Sequence, residues 1–229
     1  MKAALCLLLL ATTVGCYDVE QVDPCAAAEP FLVDDFEGAD QLPAPPFQQW
    51  TCRGFNPDDD AEAVTTCAFT DGQDGTAFMG DFALQDVMNT MQEFTGGALR
   101  TSSTRAIDLG CYRELALSAR FEAGEMPPPP GSTFNAELTC KSAKSSGVVG
   151  GTSGTPFSVL RTLTLTSSWQ SFRVPLTDFT QPNWQTERID GNERGCLPAV
   201  DGVGLLLSTT LEDGESGGGK LYLDNVSFE

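Results

Sequence analysis

Short runs in which apolar residues return at every second position recur along the chain at 31–37, 77–84, 97–103, 114–122, 134–141, 157–166, 169–176, 202–209 and 220–228. A period of two belongs to strands, whose successive side chains point to opposite faces; a helix repeats every 3.6 residues. Strong breakers separate the runs: MPPPPGS at 126–132, SSGVVGGTSG at 145–154 and DGESGGG at 213–219. Many short alternating runs between turn signals predict an all-β, two-sheet antiparallel sandwich. Residues 83–94 (ALQDVMNTMQEF) alone hint at a helix, with Val87, Met91 and Phe94 on one side, and no more than a turn or two is expected there.

Three runs declare which way they face. In 114–122, Leu115, Leu117, Ala119 and Phe121 alternate with Ala116, Ser118, Arg120 and Glu122. In 136–141, Ala136, Leu138 and Cys140 alternate with Glu137, Thr139 and Lys141, and in 171–174 Phe172 and Val174 alternate with Ser171 and Arg173. Arg120, Glu137, Thr139, Lys141 and Arg173 are thereby expected on one solvated sheet face, although periodicity does not say which strands are neighbours.

Both ends of the body break the alternation. Phe31 and Val33 are followed by Phe36, three places on, so the phase slips at Asp34-Asp35. Leu221 and Leu223 are followed by Val226 and Phe228, with the slip at Asp224-Asn225. A slip in a half-buried strand demands a bulge or a bend, since otherwise the apolar set would change faces. If the first and last strands pair, their carboxylates converge, and like charges so placed repel unless a cation neutralises them. An oxygen-rich set suits calcium. Two solvent-facing Asp turns without metal fit the same spacing.

The amino-terminal residues read as an export signal. Met1-Lys2 is positive, 3–12 (AALCLLLLAT) is almost wholly apolar, and Thr13-Val14-Gly15 are small residues before Cys16. This is a leader over residues 1–15 and no fold element. Its apolar run is about half the roughly 20 residues a spanning helix needs. The ending resembles the lipobox of bacterial lipoproteins, with Thr13 where that family usually has Leu. The resemblance implies acylation of Cys16, a lipidated tether over 16–30 and a folded domain over 31–229. Several acyl chains hold a protein at a membrane where one binds only marginally. Tyr17 follows Cys16, whereas Asp there is associated with inner-membrane retention, so the outer membrane is the expected location.

Eight cysteines support an exported chain. Cys6 leaves with the leader and Cys16 is taken by lipid. Cys25, Cys52, Cys67, Cys111, Cys140 and Cys196 remain, an even set that reads as three disulfides with fifteen possible connectivities. No two have the CxxC spacing of a zinc or redox site. Cys52 and Cys67 flank a single loop and are the favoured pair, worth about 3 kcal/mol in the chain-entropy account.

Charge and composition exclude whole classes of function. The net charge is −19, and the leader removes only Lys2, so the mature chain stands at −20. Such a chain repels nucleic acid and anionic headgroups, whose recognition needs clustered Lys and Arg. With no histidine, neither Ser-His-Asp nor Cys-His catalysis nor imidazole-bound zinc is available. No GxSxG, P-loop or strand-following GxGxxG is present. What chemistry remains is a carboxylate pair of glycosidase type or a Tyr, Arg or Lys lyase arrangement, and nothing singles one out. A non-catalytic protein is expected.

An opening FLVDDFEG, a middle IDLGCYRELALSARF, then LTLTSSWQSFRVPLTDFTQPNW and a closing GGKLYLDNVSFE resemble, in this order, the galactose-binding-like jelly rolls. Among those, the chain is most similar to family 11 carbohydrate-binding modules, over roughly residues 31–229. The resemblance implies a jelly-roll β-sandwich with adjacent termini that binds polysaccharide on a sheet face. In many relatives a structural calcium lies near the first and last strands, and Asp35, Glu37 and Asp224 are its candidate ligands here. Arg120, Glu137, Arg173 and the loop residue Trp184 are the candidate carbohydrate contacts. The chain departs from the pattern in its supply of aromatic faces, on which sugar binding leans. Only three Tyr are present; Tyr17 lies in the tether and Tyr222 adjoins the terminal slip. Trp169 reads as core and Trp50 as core edge. A structural or protein-interaction lipoprotein of the cell envelope, using the same scaffold without sugar, is the alternative from a different class.

Overall fold

The computed structural model describes residues 25, 28–37, 43–55, 64–73, 75–85, 94–128, 130–140, 157–183, 185, 195–210 and 216–229. There the alternating runs become strands: β1 (Phe31–Asp34), β2 (Thr51–Phe55), β3 (Val64–Asp71), β4 (Thr76–Gln85), β5 (Phe94–Ile107), β6 (Glu114–Ala123), β7 (Thr133–Cys140), β8 (Phe157–Leu163), β9 (Gln170–Pro175), β10 (Val200–Thr210) and β11 (Ser216–Phe228). The helix described is confined to 3-10 turns at Leu176–Asp178 and Leu197–Ala199. Residues 86–93 of the expected helical stretch lie outside the described residues, while 83–85 and 94 are strand.

The strands form two antiparallel sheets. One runs β3-β4-β11-β6-β9, with β1 on β11; the other runs β2-β5-β10-β7-β8. Apolar phases of both turn inward, so Leu99, Leu138, Leu205 and Leu207 of the five-stranded sheet share one buried core with Phe78, Leu115, Leu221 and Leu223 of the six-stranded sheet. Each such side chain contributes about 1.5–3 kcal/mol on full burial, which is why the alternation dictates the layers. The fold is a jelly-roll β-sandwich. β2 and β3 were not among the expected runs, because β2 (TCRGF) is short and β3 (VTTCAFTD) lacks a clean apolar alternation.

Breaks in register accompany both phase slips. β1 and β11 pair from Phe31 opposite Phe228 to Asp34 opposite Val226, with a break in register between Leu32 and Asp34. The β11–β6 ladder breaks between Asp224 and Ser227. Each slip carries a left-handed residue, Phe36 at φ 59° and Asn225 at φ 52°. For a bulky residue such as Phe36 this conformation is costly. Asp34 holds it: one carboxylate oxygen accepts the Phe36 N–H at 2.7 Å and the other accepts the Trp50 indole N–H at 2.8 Å. Phe36 then packs its ring 5.3 Å from Trp50 and 6.2 Å from Phe78.

Six cysteines pair as three disulfides. Cys52–Cys67, the favoured pair, crosses from β2 in one sheet to β3 in the other, with Cα atoms 5.8 Å apart. Cys140–Cys196 joins the end of β7 to the turn before β10, and Cys25–Cys111 ties the segment before β1 to the β5–β6 connection. Trp50 is buried as expected. Trp169 is not core: it precedes β9, half-buried, with its ring 6.1 Å from Tyr222.

Candidate functional site

The polar phase of the five-stranded sheet forms its outer face, and the centre of that face is an ion pair. Arg100 on β5 and Glu137 on β7 both lie opposite Gly204 of β10, the strand between them. Arg100 Nε donates to Glu137 Oε2 at 2.5 Å and Nη2 donates to Oε1 at 2.8 Å, a bidentate geometry. Gly204 makes this possible. A Cβ there would stand 2.7 Å from Arg100 Cγ and 2.5 Å from the Leu99 carbonyl oxygen, so any side chain would displace the bridge. Burial is unequal, with the Glu137 side chain 2% exposed and that of Arg100 39%.

Short polar side chains extend the pair into a lattice. Toward one end of the face Thr139 donates to Asp201 at 2.9 Å, beside Gly202, whose missing Cβ leaves room for the Thr139 hydroxyl. Toward the other, Thr162 donates to the Asn135 side-chain amide oxygen, Oδ1, at 2.8 Å. Ser102 on β5 is exposed and donates to the Gln48 amide oxygen at 2.9 Å. A guanidinium, a carboxylate, hydroxyls and amides fixed by one another are the groups that orient sugar hydroxyls. Among the described side chains that share this polar phase none is aromatic.

Arg120 and Arg173 are not on this face, which corrects the expectation of one polar surface. They stand on β6 and β9 of the six-stranded sheet, whereas Glu137 and Thr139 belong to β7 of the other. Three runs of equal periodicity were divided between two layers by a topology that periodicity does not encode. Arg120 lies 3.8 Å above the Tyr222 ring and 5.4 Å from that of Trp169, a cation–π arrangement. Tyr222 donates its hydroxyl to Glu122 at 2.9 Å. Burial, and then this bond to Glu122, raise the Tyr222 phenol above its ordinary pKa. Arg173 bonds to Glu229 and, at 3.4 Å, to Glu114, and these partners raise its pKa, the Glu229 hydrogen bond first. Trp184 and Cys16 lie outside the described residues. Arg100 was missed: only its place in the polar phase of β5 marked it, and its partner lies 37 residues away.

The carboxylates of the two slips converge on the turn joining β3 to β4. Glu37 Oε1 accepts the Thr76 N–H at 2.5 Å, and Asp224 Oδ2 accepts the Gln73 N–H at 3.0 Å. Gly72 and Gly75 admit them; a Cβ on Gly75 would overlap the Glu37 carboxylate. Asp35 instead closes a local turn on the Glu37 N–H at 3.2 Å. Among the described residues no group of three His, Cys, Asp or Glu side chains gathers to hold a metal. Calcium takes six to eight oxygens, so Glu37 and Asp224 fit it only with main-chain carbonyls and water completing the set.

No family model matches the chain, and no curated protein matches it. Solved structures do. The family 11 carbohydrate-binding module of the cellulosomal cellulase Lic26A-Cel5E of Clostridium thermocellum superposes with a TM-score of 0.54 at 15% identity, over 88% of this chain and 95% of that one. The family 11 module from Clostridium thermocellum in complex with a β-1,3-1,4-mixed-linked tetrasaccharide gives a TM-score of 0.53 at 14% identity, over 87% and 94%. At such identities the likeness establishes architecture: the chain has the jelly-roll sandwich fold of family 11 carbohydrate-binding modules.

Proposed function

We propose that the chain is a non-catalytic, lipid-anchored module that binds carbohydrate on the outer face of its five-stranded sheet. The observation that carries the reading is the Arg100–Glu137 pair seated over Gly204, a fixed donor and acceptor array, on a scaffold whose structural neighbours are carbohydrate-binding modules. The pair is neutral as a unit, so it suits uncharged hydroxyls; a strongly acidic chain disfavours anionic polymers. Retention of the purified chain in gels containing soluble polysaccharides, and on insoluble ones, tests it. Slowed migration with at least one neutral glycan is the expected result, and none across a broad panel removes the proposal.

Two further parts belong to it. A structural calcium at the β3–β4 turn is supported by the convergence of Glu37 and Asp224 there, while Asp35, the third candidate ligand, accepts the Glu37 N–H in a local turn. Export and acylation at Cys16, with the outer membrane as destination, rest on the leader and on the six paired cysteines that suit an oxidising compartment. A second reading, a protein-interaction or structural envelope lipoprotein, is favoured by the lack of aromatic rings among the described side chains of the face. Co-purification of a defined protein with no glycan retention selects it.

A further inference from the structure

The Cys25–Cys111 disulfide fastens the amino-terminal side of the chain to one pole of the sandwich. Cys111 lies between the end of β5 and the start of β6. The same pole gathers the start of β1, the end of β11 and the start of β10: the Glu229 carbonyl accepts from the Arg113 and Glu114 N–H groups, and Val200 pairs with Ile107 and Cys140. A second disulfide, Cys140–Cys196, locks that pole too. At the opposite pole stand Phe94 paired with Thr210, Gln85 paired with Ser216, and the Gly124–Met126 segment, with Met126 57% exposed.

Cys25 lies nine chain steps after Cys16. Fully extended they span at most about 30 Å. β5 runs 14 residues from pole to pole, about 45 Å at the usual rise per residue. The leash is therefore shorter than the body is long. Without the disulfide it would run to Phe31, fifteen residues and about 50 Å, and would pull on the four-residue β1. We infer that the Cys25–Cys111 bond turns the Cys111 pole toward the membrane and keeps the Met126 pole away from it. The inference rests on the reading of Cys16 as the lipid-bearing residue. Arg100, seven residues from Ile107 along β5, then sits on the flank, about 23 Å above that pole, where a polymer reaches it without displacing lipid.

The mature chain from Cys16 has one cysteine outside the three disulfides, so its thiol can be coupled to a maleimide lipid in phosphatidylethanolamine–phosphatidylglycerol vesicles carrying a headgroup acceptor dye. A donor dye is placed, through a non-canonical residue, at Asp108 near Cys111 or at Glu125 at the far pole; both are exposed. Quenching is expected to be several-fold stronger at position 108 than at 125, and the gap is expected to narrow in a Cys25→Ser, Cys111→Ser double variant. Equal quenching at both positions, or stronger quenching at 125, in the disulfide-intact protein overturns the inference. Native acylation is judged separately, by the mass of the N-terminal peptide from exported protein, so its failure would remove the lipoprotein reading and leave the vesicle result standing.

Discussion

Arg100 and Glu137 grip each other across an intervening strand because the residue between them, Gly204, has no side chain. The three act as one device: two sheet positions normally separated by a neighbour's side chain are brought into contact, and a carboxylate is buried at the centre of a surface.

That burial makes the pair asymmetric. Arg100→Ala leaves a buried carboxylate without its guanidinium and is expected to cost about 3–5 kcal/mol. Glu137→Ala leaves a guanidinium that can turn to water and is expected to cost roughly 1–2 kcal/mol. Gly204→Ala forces the bridge apart by overpacking, at about 1–3 kcal/mol. Urea unfolding of the three variants checks the order, and equal losses from Arg100→Ala and Glu137→Ala contradict it.

Asp34 is expected to be more sensitive than Asp35 and Glu37, the carboxylates that follow the first strand. Asp34→Ala strips the acceptors from the Trp50 indole and from the Phe36 N–H, at about 3 kcal/mol, since buried donors are left unmet. Trp50 emission should shift to the red in the folded variant, and Asp34→Asn should recover part of the loss. Unchanged stability in Asp34→Ala would show that the left-handed Phe36 needs no such support.

Tyr222 sets an alkaline limit. Burial first, and the bond to Glu122 second, favour its neutral phenol in the fold, so its folded pKa lies above the unfolded value near 10.0. The stabilisation is full below that unfolded value and is lost as pH rises through the folded one. Thermal melts across this window should decline more steeply in the wild type than in Tyr222→Phe. Parallel declines would count against it.

Calcium, if bound at the β3–β4 turn, should raise the melting temperature, because a ligand of the native state stabilises it by mass action. A chelator is expected to lower the midpoint of the wild type and to leave Glu37→Gln and Asp224→Asn largely unmoved. Identical melts of the wild type with calcium and with chelator would remove the metal.

Much of the fold was written in the period of two. The runs at 114–122 and 134–141 became β6 and β7 nearly to the residue, and 220–228 became the larger part of β11, which begins four residues earlier, because each has one face that must leave water. The breaks in register near Asp34 and Asp224 were legible for the same reason, since a broken phase in a buried strand needs a bulge or a bend. Lateral order was not legible. Arg120 and Glu137 share a phase and occupy different sheets, and Arg100 met Glu137 only because β5 and β7 flank β10. Trp169 was read as core from its place in the family pattern, and that pattern does not say that the residue ahead of β9 stays half-buried here.

Calorimetric titration of a retained polysaccharide against two blocking variants tests the central claim most directly. Ser102→Trp crowds the outer face of the five-stranded sheet, and Ser171→Trp crowds that of the other; both positions are exposed. Binding is expected to fall at least tenfold in Ser102→Trp and to persist in Ser171→Trp, with both folded. Binding that survives Ser102→Trp and disappears in Ser171→Trp would place the ligand on the wrong sheet for this account.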